Sequence, residues 1–345
     1  MLVIKKPLNI LFIFSIIFFT IEMGCQKKLV KMSRIVYLPV NKNHLYTMNT
    51  DGLGNTMLLE TDFEPQWPRW SPDGKEILFN TYDKEYVGVY SLNISDDSLK
   101  KIKISPSAEL PCWSSDGRNI AFMSEDEIGI VISSLDGNVL RTIAGKGING
   151  AYQSWSPTND QLAFESGRDG NPEIYTINPV TGKELKRLTN NKMLDEWPSF
   201  SKDGSLIAWV RGVEGDKNIW VMNKDGSHPR QISQNINIGD GFPSFSPDGS
   251  ELLFQSSSEE EPASINIINL DGSDLRKIGE GFSAPKGSRR VTCSCNVVSI
   301  SEIFIDSSKN NSGTKFSSLK ILRPTSFIAF LNKSKLFSFM VSPAA

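Results

Sequence analysis

Hydrophobic positions along this chain fall into three regimes. Leu8 to Ile21 is an apolar run broken only by Asn9, Ser15 and Thr20. From about residue 34 the apolar residues come in short stretches separated by turn residues, the spacing of β-strands joined by tight hairpins. From Gly287 onward, apolar stretches such as Ile328 to Leu331 and Leu336 to Val341 keep no consistent period.

The middle regime repeats. One pattern occurs five times: WPRWSPDGKEILF from Trp67, LPCWSSDGRNIAF from Leu110, YQSWSPTNDQLAF from Tyr152, WPSFSKDGSLIAW from Trp197 and FPSFSPDGSELLF from Phe242. The aromatic before its serine falls at Trp70, Trp113, Trp155, Phe200 and Phe245, in steps of 43, 42, 45 and 45 residues. That period fits a four-stranded propeller blade. In the unit from Trp70 to Phe79, proline presets φ, aspartate bonds its own backbone and glycine takes the left-handed position; Asn159 replaces glycine in the third unit. A second hairpin follows each first one, with turns MNTDG at Met48, LNISD at Leu92, SLDGN at Ser134, INPVTG at Ile177, MNKDG at Met222 and INLDG at Ile268.

Six second hairpins against five first hairpins imply that the chain enters the first blade without its innermost strand. Arg34 to Leu38 reads as the strand before the first of the six, and residues Gly281 to Pro285 stand where the missing inner strand is due. The expected fold is all-β: a six-bladed β-propeller over 34–287, closed by strands from both ends of the repeat region, which removes exposed sheet edges. Residues 1–25 read as an export signal, 26–33 as a linker and 288–345 as a tail outside the repeat. That tail has 13 serines and two acids after Gly287; it reads either as a segment not selected as a domain or as a small partner-dependent one.

These units resemble the repeat of the TolB-type periplasmic propellers, whose core is P-x-W-S-P-D-G-x-x-I-A-F. The run from Glu165 to Asn178 with Arg187-Leu-Thr189 is especially similar. The resemblance covers about 250 residues and implies the propeller fold. For function it points to several classes, since related propellers serve as partner-binding proteins, as gating domains of peptidases and as lyases. It also implies an envelope lipoprotein as one kind of partner. About 33 residues precede the first expected strand, too few for the α/β domain that stands before the TolB propeller.

Composition narrows these classes. There are two histidines, His44 and His228, no G-x-S-x-G nucleophile turn, and four cysteines (Cys25, Cys112, Cys293 and Cys295), too few and too badly spaced for a framework; a histidine-built metal centre, a serine hydrolase relay and a disulfide framework all lack their residues. The reading is a non-enzyme with no cofactor, a divalent cation such as calcium being the one ligand its acids leave open. The alternative is a propeller-based hydrolase or lyase acting on an envelope or extracellular polymer.

At the start, Lys5 and Lys6 precede the apolar run and Gly24-Cys25 follows it, the layout of an export signal. Gly24-Cys25 is similar to a lipoprotein processing site, although Glu22 stands where an aliphatic residue is usual. A lipidated Cys25, plain secretion and an uncleaved anchor stay open, and all three place the rest outside the cytoplasm, in the periplasm or tethered to a membrane.

The formal charge of −2 hides a repeat region of −12 between two basic ends, which speaks against nucleic acid. The second-to-third strand loops and the links between blades carry 19 acids and seven basic residues, all on the face opposite the S-P-D-G turns. The densest groups are Glu125, Asp126 and Glu127; Glu259, Glu260 and Glu261; Asp195 and Glu196; and Asp83 with Glu85. They read either as a solubilising surface or as a negative mouth for a basic protein or peptide. Arg69, where other units carry Cys112, Ser154, Ser199 and Ser244, is the candidate to project into the channel. The repeat aromatics read as packing between blades, and the chain as a monomer.

Overall fold

The computed structural model describes residues 29–39, 44–124, 129–143, 150–158, 160–234, 239–258, 263–280 and 299–306. Every regular element among them is a β-strand. Strands β4 (Gln66–Trp70), β5 (Glu76–Thr81), β6 (Gly88–Asn93) and β7 (Leu99–Lys101) form one antiparallel meander. The next is β8 (Ala108–Trp113), β9 (Asn119–Ser124), β10 (Gly129–Ser134) and β11 (Val139–Ile143), followed by β12 (Gly150–Trp155), β13 (Leu162–Ser166), β14 (Glu173–Ile177) and β15 (Lys186–Arg187). Two further meanders, β16 (Leu194–Phe200), β17 (Leu206–Val213), β18 (Asp216–Asn223), β19 (Arg230–Gln231) and β20 (Gly239–Phe245), β21 (Glu251–Ser257), β22 (Ser264–Asn269), β23 (Arg276–Glu280), are joined into one eight-stranded sheet by a single parallel pairing, Lys217 with Gly239.

The remaining sheet is mixed in origin. Strands β1 (Leu29–Tyr37), β2 (His44–Asn49) and β3 (Thr56–Glu60) are joined by β24 (Ser299–Asp306), which runs antiparallel to β1 from Leu29 opposite Asp306 to Val36 opposite Ser299. The strand beside β1 therefore comes from the C-terminal side, but from residues 299–306 within the tail; Phe282 to Pro285 lie outside the described residues. No S-P-D-G turn marks β24. Its SISEIFID sequence supplies the β-branched and aromatic content of a strand. First strands adjoin one another in chain order, and β24 lies against both β20 and β4.

Each first hairpin is held by the same polar device. Ser71 Oγ donates to Asp73 at 2.7 Å and accepts the Glu76 amide at 2.9 Å; Ser114, Ser201 and Ser246 do the same with Asp116, Asp203 and Asp248 at 2.6 Å. The third unit uses Asp160, 2.9 Å from Ser156, and Asn159 lies outside the described residues. Gly74, Gly117, Gly204 and Gly249 have φ between 68° and 74°, where a β-carbon is disfavoured. The serine hydroxyls hold the Asp203 and Asp248 carboxyls below the usual range.

Both faces of the middle strands are buried because each sheet packs against two others. Leu78, Val89 and Ile102 meet Trp113, Ile120 and Phe122; Ala163 and Ile174 meet Phe200, Ile207 and Trp209; Ile35 and Met48 meet Leu253, Ile265 and Ile267. Trp70, Trp113, Phe200 and Phe245 lie in these inter-sheet layers, all below 9% exposure.

Candidate functional site

The first strands do something their repeat does not advertise. Each of β4, β8, β12, β16 and β20 carries a register shift against its neighbour. At that point Trp67, Leu110, Tyr152, Trp197 and Phe242 take φ between 52° and 56°. A left-handed non-glycine residue costs about 1–2 kcal/mol, so five in homologous places need a common reason. The bulge turns these side chains away from the sheets and onto one another. Trp197 stacks on Phe242 at 4.2 Å between centroids, Trp67 meets Phe242 at 5.2 Å and Tyr152 at 5.4 Å, and Leu110 joins them. Gly241 makes room, since a β-carbon there would stand 2.8 Å from the Trp197 ring.

An apolar plug thus fills the middle, and the chemistry divides around it. On the S-P-D-G side, Arg69 lines a cavity of about 10 Å³ with Tyr152, Trp197, Pro198, Phe242 and Pro243, room for about one water molecule. Burial draws the Arg69 pKa down to about 10, and Cys112 stands nearby, its thiol pushed up to about 12 by burial.

On the opposite side an arc of acids and hydroxyls crowns the plug. Tyr82, 46% exposed, has its hydroxyl pushed up to about 12 by burial and by the Glu109 carboxylate, while Asn80 and the Trp67 indole N–H oppose the shift. Tyr152 is raised by burial and then by Glu165. Glu165 accepts the Trp197 amide at 2.9 Å, and its carboxyl is pushed up to about 8 by burial and the neighbouring Glu196. Glu196 in turn holds Lys217 at 2.7 Å, with Glu214 3.6 Å away and the Trp197 ring 5.1 Å beneath the ammonium.

The sequence-selected acids fare unequally. Asp195 is fully buried, held by Arg211 at 2.7 and 2.9 Å, the Trp209 indole at 3.0 Å and the Asn191 amide at 2.7 Å. Its charge is spent on the fold. Asp83 and Glu85 are exposed, and Asp83 accepts the Glu85 amide at 3.0 Å, so it also builds its own turn. Glu125, Asp126, Glu127, Glu259, Glu260, Glu261 and Cys25 lie outside the described residues. Among the described residues no group of three or more His, Cys, Asp or Glu side chains is placed to hold a metal. Glu109, Glu165, Tyr82 and Lys217 were not singled out from sequence. The available signal was position, because Glu109 and Glu196 each immediately precede a residue of the plug.

The Glu165 environment sets a pH dependence. Its folded pKa lies above the unfolded value of about 4.3, so the proton it keeps contributes stability at low pH, and that contribution is lost as pH rises through about 8. Glu165→Gln keeps the acceptor for the Trp197 amide without the charge. The variant should match wild type near pH 5 and exceed it by up to about 4 kcal/mol at pH 9, measured as melting temperature against pH; a gap that does not widen with pH refutes this.

The family description of the TolB beta propeller domain matches residues 24–280. The chain belongs to that family. The TolB homolog of Chlorobium luteolum is 27% identical over 141 residues, 40% of this chain and 32% of that protein, so this TolB-family chain spans about a third of the curated relative it matches. The putative TolB of Agrobacterium tumefaciens superposes with a TM-score of 0.62 at 23% identity, covering 73% of this chain and 90% of that one. TolB of Acinetobacter baumannii gives 0.64 at 20% identity, covering 78% and 66%. At these identities the likeness is one of fold.

Proposed function

We propose that this TolB-family propeller is a closed six-bladed, non-enzymatic module that holds a protein or peptide partner at the bacterial cell envelope, on the face crowned by Tyr82, Glu109, Glu165 and Glu196. The observation that carries the reading is the convergence of these side chains, from four sheets, over an apolar plug. A closed centre with a polar, acidic rim suits surface recognition, and the aromatic groups at it are the type that anchor partners. Closure is supported by the inter-sheet cores that link every sheet to two others and by β24 adjoining β20 and β4. The envelope location rests on the N-terminal pattern; palmitate label in wild type and none in Cys25→Ser is the result expected of a lipidated anchor, and unlabelled wild type would remove it.

A photo-crosslinking phenylalanine analogue at position 82 should capture a partner in envelope extract. The same probe at Leu53, 67% exposed in a hairpin turn on the opposite face, should not. Capture from Leu53 alone, or from both positions equally, overturns the choice of face.

A further inference from the structure

We infer that the face carrying the S-P-D-G turns rests on a lipid bilayer, with aliphatic side chains of the second hairpins entering its headgroup layer and the crown turned away from it. This rests on the reading of the N-terminal segment as an envelope anchor and adds the face by which the propeller meets the membrane.

Large apolar side chains are exposed unevenly on the two faces. Eleven are exposed among the described residues, and eight of these belong to the second hairpins, in the turn or the first residues of the strand that follows it. They include Leu53, Val139, Leu140, Val180, Leu185 and Leu275, all at least 44% exposed. The other three, Tyr82, Met193 and Val213, lie at the opposite ends of the strands. A single exposed aliphatic residue is ordinary, but here they gather at one end. Backbone bonds seat these turns beside the S-P-D-G turns: the Ile94 amide donates to the Lys75 carbonyl, Lys224 to Ser205 and Leu270 to Ser250, each at 2.9 Å. Side chains then carry the turns from one sheet to the next, Arg141 donating to the Thr181 carbonyl at 3.2 Å, Lys186 to Asp225 at 2.7 Å and Arg230 to Leu270 at 2.6 Å. The aliphatic tips therefore form a rim on one face, with arginine and lysine stems among them. Apolar tips beside long cationic side chains suit the boundary between lipid headgroups and acyl chains.

The path of the chain points to the same face. Arg34 stands opposite Asn49, where the turn to Leu53 begins, and its guanidinium donates to the Gly54 carbonyl at 3.1 Å. Strand β1 does not start there. Its residues Leu29 to Ser33 continue past that turn, paired with Asp306 to Glu302 of β24, so the chain enters the propeller from the turn side. Cys25 precedes Leu29 by four residues, at most about 14 Å of chain. A lipid on Cys25 thus tethers the face that carries the aliphatic rim and leaves the crown open to a partner.

The test uses the full chain, isolated with its own N-terminus and reconstituted on vesicles of phosphatidylethanolamine and phosphatidylglycerol. A genetically encoded fluorescent amino acid is placed at position 140, 275 or 213, three sites of closely matched exposure, 56%, 52% and 54%. Brominated acyl chains in the vesicles should quench the probe at positions 140 and 275 several-fold more than at 213. Replacing Leu53, Val180 and Leu185 together by serine should lower the quenching at position 140 several-fold; these exposed positions leave the fold intact, which an unchanged melting temperature checks. Equal quenching at all three positions, in protein that floats with the vesicles, overturns the docking face and leaves the anchor standing, the rim then being held off the bilayer. Protein that does not float overturns both. Probe emission at position 140 or 275 that shifts with protein concentration in vesicle-free buffer marks a second copy as the occupant of this face and overturns the lipid assignment. These outcomes are separate from the crosslink at position 82, whose failure removes the partner-binding reading alone.

Discussion

Asp195→Ala lowers stability by about 3–5 kcal/mol, the cost of stranding a buried charge partner. Three groups lose this acceptor at once: Arg211, whose side chain is 16% exposed, the Trp209 indole, in a side chain that is fully buried, and the Asn191 side-chain amide. Asp195→Asn should recover part of the loss, because it still accepts from the indole while leaving the guanidinium without a counter-charge. Urea unfolding of the three proteins measures this. A loss below about 1 kcal/mol for the alanine variant, the range of exposed ion pairs, would mean that Asp195 is a surface acid after all and belongs with the binding face.

Ile303→Pro is expected to cost about 2–4 kcal/mol and to promote self-association. Residue 303 stands opposite Met32 in the middle of the eight-residue ladder between β24 and β1, and proline there deletes a backbone donor and fits poorly into a paired strand. Releasing β24 also leaves β1 with an exposed edge, a template for pairing with another copy. Ile303→Val keeps both the donor and the β-branched shape and should behave as wild type. The measurements are melting temperature and light scattering of purified protein. An Ile303→Pro variant that melts and scatters light as wild type does would remove β24 from the closing position and return attention to the residues near Phe282.

The two tryptophans of the first unit show where reading the sequence stops. Trp67 and Trp70 look alike on the page, and in a regular strand residues three apart face opposite sides of the sheet. Trp70 does join an inter-sheet layer, as its hydrophobicity suggests. Trp67 goes to the axis because a bulge and a left-handed φ of 55° intervene, a local conformation that no turn residue announces. The adjacent acids Asp195 and Glu196 are a second case. One is buried against Arg211 and the other pairs with Lys217, and neither partner is near in sequence; strand register and the short hairpin before Lys217 bring them in.

Sequence alone determined the strands, the paired hairpins and their period. Those are local matters: proline, aspartate and glycine at fixed turn positions, and an alternation of apolar residues, act over a dozen residues at most. Tertiary structure decided that the centre is filled, that Asp195 serves the fold, that Glu109, Glu165 and Tyr82 meet above the plug, and that the strand beside β1 is Ser299–Asp306. Each of these depends on residues from different sheets arriving at one place, and the energy that selects it, desolvation of charges and packing of rings, exists only once the sheets have come together.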